Sequence, residues 1–516
     1  MATIQTTQTA PTGKLPFRSF LGYATGDAGN NLAFSMASMF LLLYYTDVVG
    51  IPAAYAAPIF LVVRIWDGIG DVLVGRWVDR TKSRWGKFRP WLLWSSLPLL
   101  LCSVLVFSLP EVDSLAMKLF WAYLSYGVLA MLYSMVNIPY GSLAAAMTQV
   151  PEERAKLALF RSLGASITML VLSMAVAPLV ERWSSSDLYD EKVSQLGGEG
   201  AATQAQLDAA QAAAQAESAA GLQTSLTSVT LLFVVLGMAL YLFTFFTARE
   251  QVERPAQDRI GLRQALHTLW VNKALMWLSA GSLTFLTAFI ALGTMGIYYA
   301  RDVLGDAGLF PVLITVQTSA IFVMAPFLSR LVTRFGKRAL FLGGTVVFML
   351  GGLLAFITPA SQPWMGIVAF FLLGLGIGLV NTLMWAMEAD TIEYAEWRTG
   401  SRTEGTTYAV FSFVRKLGQA FGGFAAAGII GLTGYVGSAA EQSDEAVMGI
   451  RMATGILPAV LAGVSFIIML KYPLTDTVFK EITQENEVRK IREKAGLEPL
   501  PTTGDSGGGA DRAPSS

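Results

Sequence analysis

The sequence is poor in charged residues, cysteine and histidine, and each shortage excludes a class of function. Only 14% of the 516 residues are charged, against roughly 25% in a soluble globular domain. The single cysteine, Cys102, and the single histidine, His267, exclude an internal disulfide and most nucleophilic or zinc catalysis. The formal net charge of zero gives no electrostatic basis for binding nucleic acid. We therefore expect no enzyme, no nucleic-acid partner, and no resident metal or cofactor.

Apolar residues are abundant: 53% of the chain is hydrophobic and the mean hydropathy is +0.52. Apolar runs of about 20 residues, the length that crosses a bilayer, recur along the chain. The predicted spans are residues 20–46, 54–77, 91–109, 117–147, 157–180, 224–246, 274–299, 309–332, 339–358, 364–388, 408–435 and 449–470. The pattern predicts an all-α membrane protein with twelve transmembrane helices.

Lysine and arginine concentrate in alternate loops, which predicts the orientation of the chain. The loop after the second span has five basic residues between 80 and 89, whereas the loops at 47–53 and 359–363 have none. Because Lys and Arg mark cytoplasmic loops, we expect both termini in the cytoplasm.

The same pattern divides the chain into two halves of six spans. We expect a tail at 1–18, a half at 19–247, a middle loop at 248–272, a half at 273–471 and a largely disordered tail at 472–516 with one short charged helix. The acidic, Ala/Gln-rich stretch 182–223 is an outer insert, either solvated and partly helical or disordered.

A short repeat supports the two halves. GRWVDRTKSRWGKFR follows the second span, and SRLVTRFGKRAL follows the eighth. Both are basic and both contain a Gly-Lys pair that is typical of a turn. Six plus six spans with a repeated basic loop indicate a two-lobed transporter with the major facilitator fold.

Charged side chains inside the spans are the candidate functional residues, because each is costly in a bilayer. Asp67 and Asp71 lie four apart, on one helix face, and two like charges cannot neutralise each other. The two aspartates predict a site for a coupling cation or proton, and the alternative is a structural ion pair. For Arg64 the favoured role is to neutralise an acidic neighbour. The other candidates inside spans are Asp27, Asn137, Arg161, Arg415 and Lys416.

Two further groups carry weaker predictions. Asp390, Glu393 and Glu396 form an acidic run at the inner end of span ten, either a solvated helix end or a gate that pairs with Arg84, Lys87 and Arg89 of the other half. Trp385 and Tyr408 are candidates for stacking on a sugar ring, with a purely structural role as the alternative.

Five segments of the sequence show a family resemblance. GDAGNNLAF, RIWDGIGDVLVGRWVDRTKSRWGKFRPW and FVRKLGQAFGG resemble the glycoside–pentoside–hexuronide:cation symporters, and NIPYGSLAAAMTQ and MWAMEADTIEYAEWRTG resemble the glucuronide-carrier branch. The resemblance implies a major facilitator fold and uptake of a sugar with sodium or protons. It also implies that Asp67, Asp71 and Ser134 bind the cation, that Asp27, Asn137, Arg161 and Lys416 shape the sugar site, and that Asp390, Glu393 and Glu396 are inner-gate acids.

The departures from melibiose permease, a member of that family, favour a proton and an anionic sugar. Asn137 stands where melibiose permease has an aspartate that holds the sugar hydroxyls, and Gly141 stands where it has a tryptophan. Gly70 stands where it has an asparagine that binds sodium. A sodium ion needs several oxygens, whereas a proton needs one carboxylate. Loss of a carboxylate beside Arg161 and Lys416 makes the site more positive.

We therefore expect a symporter in a bacterial inner membrane, acting as a monomer, that imports a glycoside or sugar acid with a cation. The favoured pair is a glucuronide with a proton. The alternative is a sodium-coupled carrier of neutral xylosides or oligosaccharides. A third hypothesis is a membrane sugar sensor. It is disfavoured because the tail after Tyr472 is too short for a signalling domain.

Overall fold

The computed structural model describes residues 15–148, 150–198, 200–251, 270–399, 404–437, 439 and 441–494. The first part of the predicted N-terminal tail, most of the middle loop, and the predicted disordered tail from residue 495 lie outside this described part.

The described residues of the first half form seven helices. They are α1 (Phe17–Leu43), α2 (Ala53–Arg80), α3 (Arg89–Val106), α4 (Leu115–Met147), α5 (Pro151–Arg182), α6 (Ser185–Gln195) and α7 (Gln204–Thr247). A π-helical turn, Tyr44–Val48, extends α1. Pro139 lies inside α4, where it perturbs the helix without ending it.

The second half is built in the same way. It contains α8 (Lys273–Tyr298), α9 (Leu309–Phe335), α10 (Lys337–Ile357), α11 (Pro363–Thr399), α12 (Glu404–Leu432), α13 (Asp444–Arg451), α14 (Leu457–Met469) and α15 (Asp476–Lys494). The π-helical turn Met452–Ile456 joins α13 to α14, so that the two form one span. The charged helix predicted for the tail is α15.

Each predicted span coincides with a helix, which confirms the all-helical fold with twelve transmembrane helices. In the described part of the chain, nine helical segments are long and apolar enough to cross a bilayer by composition alone. The other three spans are α1, α2 and α12. These three helices carry Asp27, Arg64, Asp67, Asp71, Arg415 and Lys416 within them.

The insert at 182–223 was expected to be either partly helical or disordered. The structure shows helices in it. It consists of α6 and the first turns of α7, which runs without a break into the sixth span. Ser218 Oγ donates to the Trp183 carbonyl at 2.6 Å, and Lys192 pairs with Glu217 at 2.7 Å. Ala210 and Ala214 are buried on the inner face of α7. The insert is therefore a packed helical hairpin.

The chain divides into two compact units: Met1–Ala256 with Val436–Gln442, and Gln257–Tyr435 with Ser443–Ser516. Each unit repeats one set of helix contacts. In the first, α1 packs on α5 and α7, α4 on α2 and α3, and α3 on α7. In the second, α8 packs on α12 and α14, α11 on α9 and α10, and α10 on α14. The two sets correspond helix by helix, so the weak sequence repeat reflects a repeated fold.

The repeated Gly-Lys pairs form equivalent turns. Gly86 and Gly336 both have positive φ, +102° and +82°, a conformation that L side chains rarely adopt. Glu250, after α7, accepts hydrogen bonds from the backbone N–H groups of residues 87–89 at 2.8–3.1 Å. Asp476, at the start of α15, accepts one from the residue after Gly336 at 3.1 Å. In both units a carboxylate after the sixth span thus caps the N-terminus of the third.

Candidate functional site

The first cluster of candidate residues joins α1 to α5 through an ion pair. Asp27 is buried in α1, and Arg161 Nε donates to its Oδ1 at 2.9 Å. Asn31, one turn later, donates from Nδ2 to Asp27 Oδ2 at 3.0 Å. The helices approach closely because Gly164 packs on Ala24, where a Cβ would overlap the carbonyl. Asp27 and Arg161, both predicted to shape the sugar site, therefore neutralise each other.

Two tyrosines that the sequence prediction missed complete this cluster. Tyr140 of α4 stacks on Tyr23 of α1 at 4.6 Å between ring centroids, and its hydroxyl donates to the Tyr23 carbonyl at 2.6 Å. The Arg161 guanidinium lies 5.4 Å from the Tyr140 ring. Asn137, the predicted sugar-binding residue of α4, lies one turn before Tyr140 and is partly exposed. The available signal was helical spacing, one turn from Asp27 and from Asn137.

The second cluster joins α2 to α4 through one hydroxyl group. Ser134 Oγ lies 2.8 Å from Asp67 Oδ1 and 2.7 Å from Asp71 Oδ1. Ser134 and Asp67 are buried, and Asp71 is partly exposed. The two carboxylates predicted to bind the coupling cation thus converge on one oxygen atom, the hydroxyl oxygen of Ser134. The family resemblance indicated this serine as part of the cation site.

Arg64 and Gly70 define the surroundings of this carboxylate pair. Arg64 Nη1 lies 3.6 Å from Asp67 Oδ2, which is the neutralising role favoured for it. A Cβ at Gly70 would lie 3.1 Å from Met131 Sδ and 3.7 Å from Ser134 Oγ. A longer side chain at residue 70 would therefore point toward the carboxylate pair, whereas glycine supplies no oxygen ligand there.

The first unit contains a cavity lined by residues of α1, α2 and α4. Phe34, Arg64 and Tyr133 line it, with the Arg64 guanidinium 4.7 Å above the Phe34 ring and Tyr133 stacked on Phe34 at 5.2 Å. Tyr133, also missed from the sequence, is one residue before Ser134 and lies beside Arg64 in the lining of this cavity.

In the second unit, the candidate residues of α11 and α12 form an aromatic and cationic cluster. Trp385 stacks on Tyr408 at 5.9 Å with 25° between the rings. The Arg415 guanidinium lies 4.6 Å from the Trp385 ring. Lys416, the next residue on α12, is partly exposed. Trp385 and Tyr408, predicted separately as sugar-stacking residues, are thus in contact.

The acidic run at the C-terminal end of α11 has partners within its own unit. Lys337 Nζ lies 2.6 and 2.7 Å from the two Asp390 carboxylate oxygens. Tyr472, buried beside Asp390 and Asp476, has a pKa well above its usual value because burial disfavours the phenolate. The Tyr472 hydroxyl is therefore neutral.

The other two acids of this run contact α15. Asn486 donates to the Glu393 carbonyl at 3.0 Å, and Arg489 to the Glu396 carbonyl at 3.3 Å. Glu396 is buried. The tail helix therefore packs against the last turns of α11 and supplies partners for its terminal carbonyl groups.

The basic residues of the predicted gate also have contacts within one unit. Arg84 and Lys87 each lie over the ring of the aromatic residue that follows, at 4.8 and 5.5 Å. Arg89 Nε donates to the Phe245 carbonyl at 3.0 Å, near the end of α7. The pairing of these residues with the acidic run stays a prediction.

Comparison with known proteins identifies close relatives. The family described as MFS/sugar transport protein matches residues 22–476. The chain is 40% identical to the glucuronide carrier protein homolog of Escherichia coli K12, over 92% of this chain and 97% of that protein. It is 30% identical to a putative sulfoquinovose importer of the same organism, over 93% and 96%.

Among solved structures, a bacterial homolog of the human lysosomal transporter Spinster superposes with a TM-score of 0.59, covering 89% of this chain and 98% of that one. The identity is 14%, so the likeness concerns the fold alone.

Proposed function

Because the chain belongs to the MFS/sugar transport protein family, we propose that it imports an anionic glycoside together with a proton. The glycoside that we favour is a glucuronide. The family places it among multi-pass sugar transporters of the bacterial inner membrane, which are not enzymes. The substrate, the cation and the cytoplasmic placement of both termini are our proposals.

The proton is supported by one observation above all: Ser134 Oγ lies within hydrogen-bond distance of both Asp67 and Asp71. A hydroxyl has a single hydrogen and can donate to only one of the two carboxylates. The second short contact is favourable when the other carboxyl is protonated and donates to Ser134. The geometry therefore fits one proton held in a chain of two hydrogen bonds.

A sodium ion fits this cluster less well. Asp67, Asp71 and Ser134 offer carboxylate and hydroxyl oxygens, which hard cations prefer, but such cations take about six ligands. Gly70, whose Cβ direction faces Ser134, supplies no further oxygen. A proton needs no such coordination shell.

The anionic substrate is supported by the charges and by the relatives. Four cationic side chains are candidates within spans: Arg64 and Arg161 in the first unit, and the adjacent Arg415 and Lys416 on α12. The relatives described above are named for a glucuronide and for sulfoquinovose, a carboxylated and a sulfonated sugar. Asp27, Asn137 and Arg161 then hold sugar hydroxyls.

Transport then follows an alternating-access cycle, the mechanism of such two-lobed transporters. Proton binding to Asp67 and Asp71 removes one of two like charges, which stabilises the loaded carrier. Release of the proton on the cytoplasmic side restores the repulsion and commits the cycle to import.

The proposal is tested with purified protein reconstituted into the membrane of lipid vesicles, in a lightly buffered medium. A glucuronide should raise the external pH as protons enter with it, and a sodium gradient should have no effect. A xyloside taken up only with sodium, at clamped pH, would establish the sodium-coupled alternative instead. Sugar uptake that moves neither ion would contradict symport altogether.

A further inference from the structure

The end of α2 and the connection from α2 to α3 carry a cluster of exposed positive charge. This connection joins the second span to the third and therefore lies at a membrane surface. The exposed cations, which we call the loop cations, are Arg76, Arg80, Lys82 and Arg84. No ion pair among the described residues involves any of the four. Residues 76–89 contain six cations and one carboxylate, that of Asp79, so this stretch has a net charge of +5.

The carboxylate of Glu250, which contacts the same connection, is occupied by the backbone. Its Oε2 accepts from the Lys87 N–H at 2.9 Å, and its Oε1 accepts from the N–H groups of Phe88 and Arg89 at 2.8 and 3.1 Å. Both oxygens of Glu250 thus serve the turn that precedes α3.

Two exposed tryptophans flank the connection. Trp77 is 44% exposed and lies three residues before the end of α2, whereas Trp94 is 68% exposed and lies five residues after the start of α3. At about 1.5 Å per residue, both lie within about 8 Å of the helix ends along the helix axes. Tryptophan is enriched at this depth of a membrane, beside the lipid head groups.

The second unit shows that the repeated turn does not itself require such a cluster. Between the last arginine of the preceding helix and the glycine of the turn, the first unit has five residues and the second has one. The longer stretch brings in Lys82 and Arg84. In the second unit, Lys337 pairs with Asp390 at 2.6 Å, and Arg338 Nε donates to a backbone carbonyl at 3.3 Å. Cations that follow the turn there are thus used within the fold, whereas the loop cations face outward.

The chemistry of the loop cations fits a phosphate group at a membrane surface. Guanidinium groups donate two parallel N–H bonds to phosphate oxygens, and the lysine ammonium adds a point charge. A run of cations beside a transmembrane helix attracts anionic lipids. A zwitterionic head group competes less well, because its own cation neutralises its phosphate.

We propose that the loop cations, with Trp77 and Trp94, form a binding surface for the head group of an anionic phospholipid. The cations contact the phosphate, and the indole rings lie beside the upper part of the acyl chains. The proposal does not depend on the proposed substrate or coupling cation. On this proposal Arg84 contacts lipid, and not the acidic run of the predicted gate.

The test titrates purified protein in detergent with phosphatidylglycerol and measures the bound lipid by native mass spectrometry. Phosphatidylcholine, which carries the same phosphate beside a choline cation, is titrated in parallel. We expect the wild-type protein to prefer phosphatidylglycerol. Lys82→Gln combined with Arg84→Gln should weaken phosphatidylglycerol binding about 30-fold, the effect of removing two cations from a membrane surface, and leave phosphatidylcholine binding unchanged.

The second unit offers a matched control. Arg330→Gln combined with Arg334→Gln removes two charges from exposed residues at the end of α9 and should leave lipid binding unchanged. Lys82→Arg combined with Arg84→Lys keeps both charges and should retain binding. Because all these side chains are exposed, the variants should melt like the wild-type protein. If the Lys82 and Arg84 double variant does not fold, each glutamine variant is measured singly, with an expected loss of about fivefold.

Three results would overturn the proposal. Equal losses in the Lys82 and Arg84 variant and in the α9 control, or no loss in either, would mean that the loop cations form no specific surface. Equal binding of the two lipids by the wild-type protein would exclude recognition by charge. Displacement of phosphatidylglycerol by an equal concentration of inorganic phosphate would show a site for a soluble anion, to which the acyl chains contribute nothing.

Discussion

Replacing Ser134 by alanine tests the shared proton at the atom that carries it. Both carboxylate oxygens lie within 2.8 Å of the serine oxygen, so they are at most about 5.5 Å apart. At that separation two full charges repel by about 3 kcal/mol with an effective dielectric constant of about 20. One bound proton removes this repulsion and uses the hydroxyl both as acceptor and as donor.

Without the hydroxyl, the protonated state loses one hydrogen bond that the deprotonated state does not have, the one from the carboxyl to Ser134. Such a bond contributes about 1 kcal/mol, which corresponds to about a fivefold change in affinity. We therefore expect Ser134→Ala to raise the proton concentration for half-maximal uptake about fivefold.

The assay measures initial uptake of labelled substrate into sodium-free vesicles across a series of external pH values. Ser134→Thr keeps the hydroxyl and serves as the matched control. The reasoning is refuted if the alanine, threonine and wild-type proteins all require the same proton concentration, because the hydroxyl would then take no part in holding the proton.

Three further predictions concern packing. Arg161→Gln should abolish sugar binding and lower the melting temperature, because it strands the buried Asp27 carboxylate; adding Asp27→Asn should restore the melting temperature but not binding. Gly86→Ala should destabilise the protein by about 1–3 kcal/mol, since it combines a disfavoured φ with a clash on Glu250, as measured by thermal melting in detergent. A chain ending at Thr475 should melt at a lower temperature, because it loses α15 and uncovers the C-terminal end of α11.

Each of these has an internal control. For the ion pair, the control is the double variant that combines Arg161→Gln with Asp27→Asn. An Arg161→Gln variant that melts like the wild-type protein would contradict the assignment of that pair. A substitution at Gly75, where a Cβ meets nothing within 4 Å, is the control for Gly86. A chain ending at Lys494 keeps α15 and should melt like the full-length protein; equal melting of both truncations would mean that α15 contributes nothing.

The spans were predictable because the bilayer imposes their length. Twelve apolar runs coincide with helices whose bounds differ from the prediction mostly by a few residues. The insert was not assigned, because its alanines and glutamines have no apolar stripe. Two local signals pointed to a helix there: alanine is the best helix former, and Thr203 with Gln206 forms a capping box at the start of α7.

The candidate site was predictable where it consists of charge. Asp27, Asp67, Asp71 and Arg161 stood out because an ionised group within a span needs a partner. The pairing of Asp27 with Arg161, which are 134 positions apart, depends on tertiary packing that no local pattern contains. Neutral polar residues carry no such signal, and Ser134 was indicated only by the family resemblance.

The aromatic residues show the same limit. Tyr23, Tyr133 and Tyr140 are ordinary members of apolar helices in the sequence. Only the folded chain places Tyr23 and Tyr140 beside Arg161, and Tyr133 beside Phe34. Arg415 was recognised as a charge within a span, but its stacking on Trp385 depends on the packing of α11 against α12.

The central claim, that Asp67 and Asp71 couple the proton to the sugar, is tested most directly by replacing both with asparagine. Vesicles with an alkaline interior are supplied with labelled glucuronide, and accumulation above the external concentration is measured beside exchange at equal concentrations. We expect the wild-type protein to concentrate the sugar, and the double variant to exchange it without concentrating it. A double variant that still accumulates the sugar against its gradient would contradict the claim.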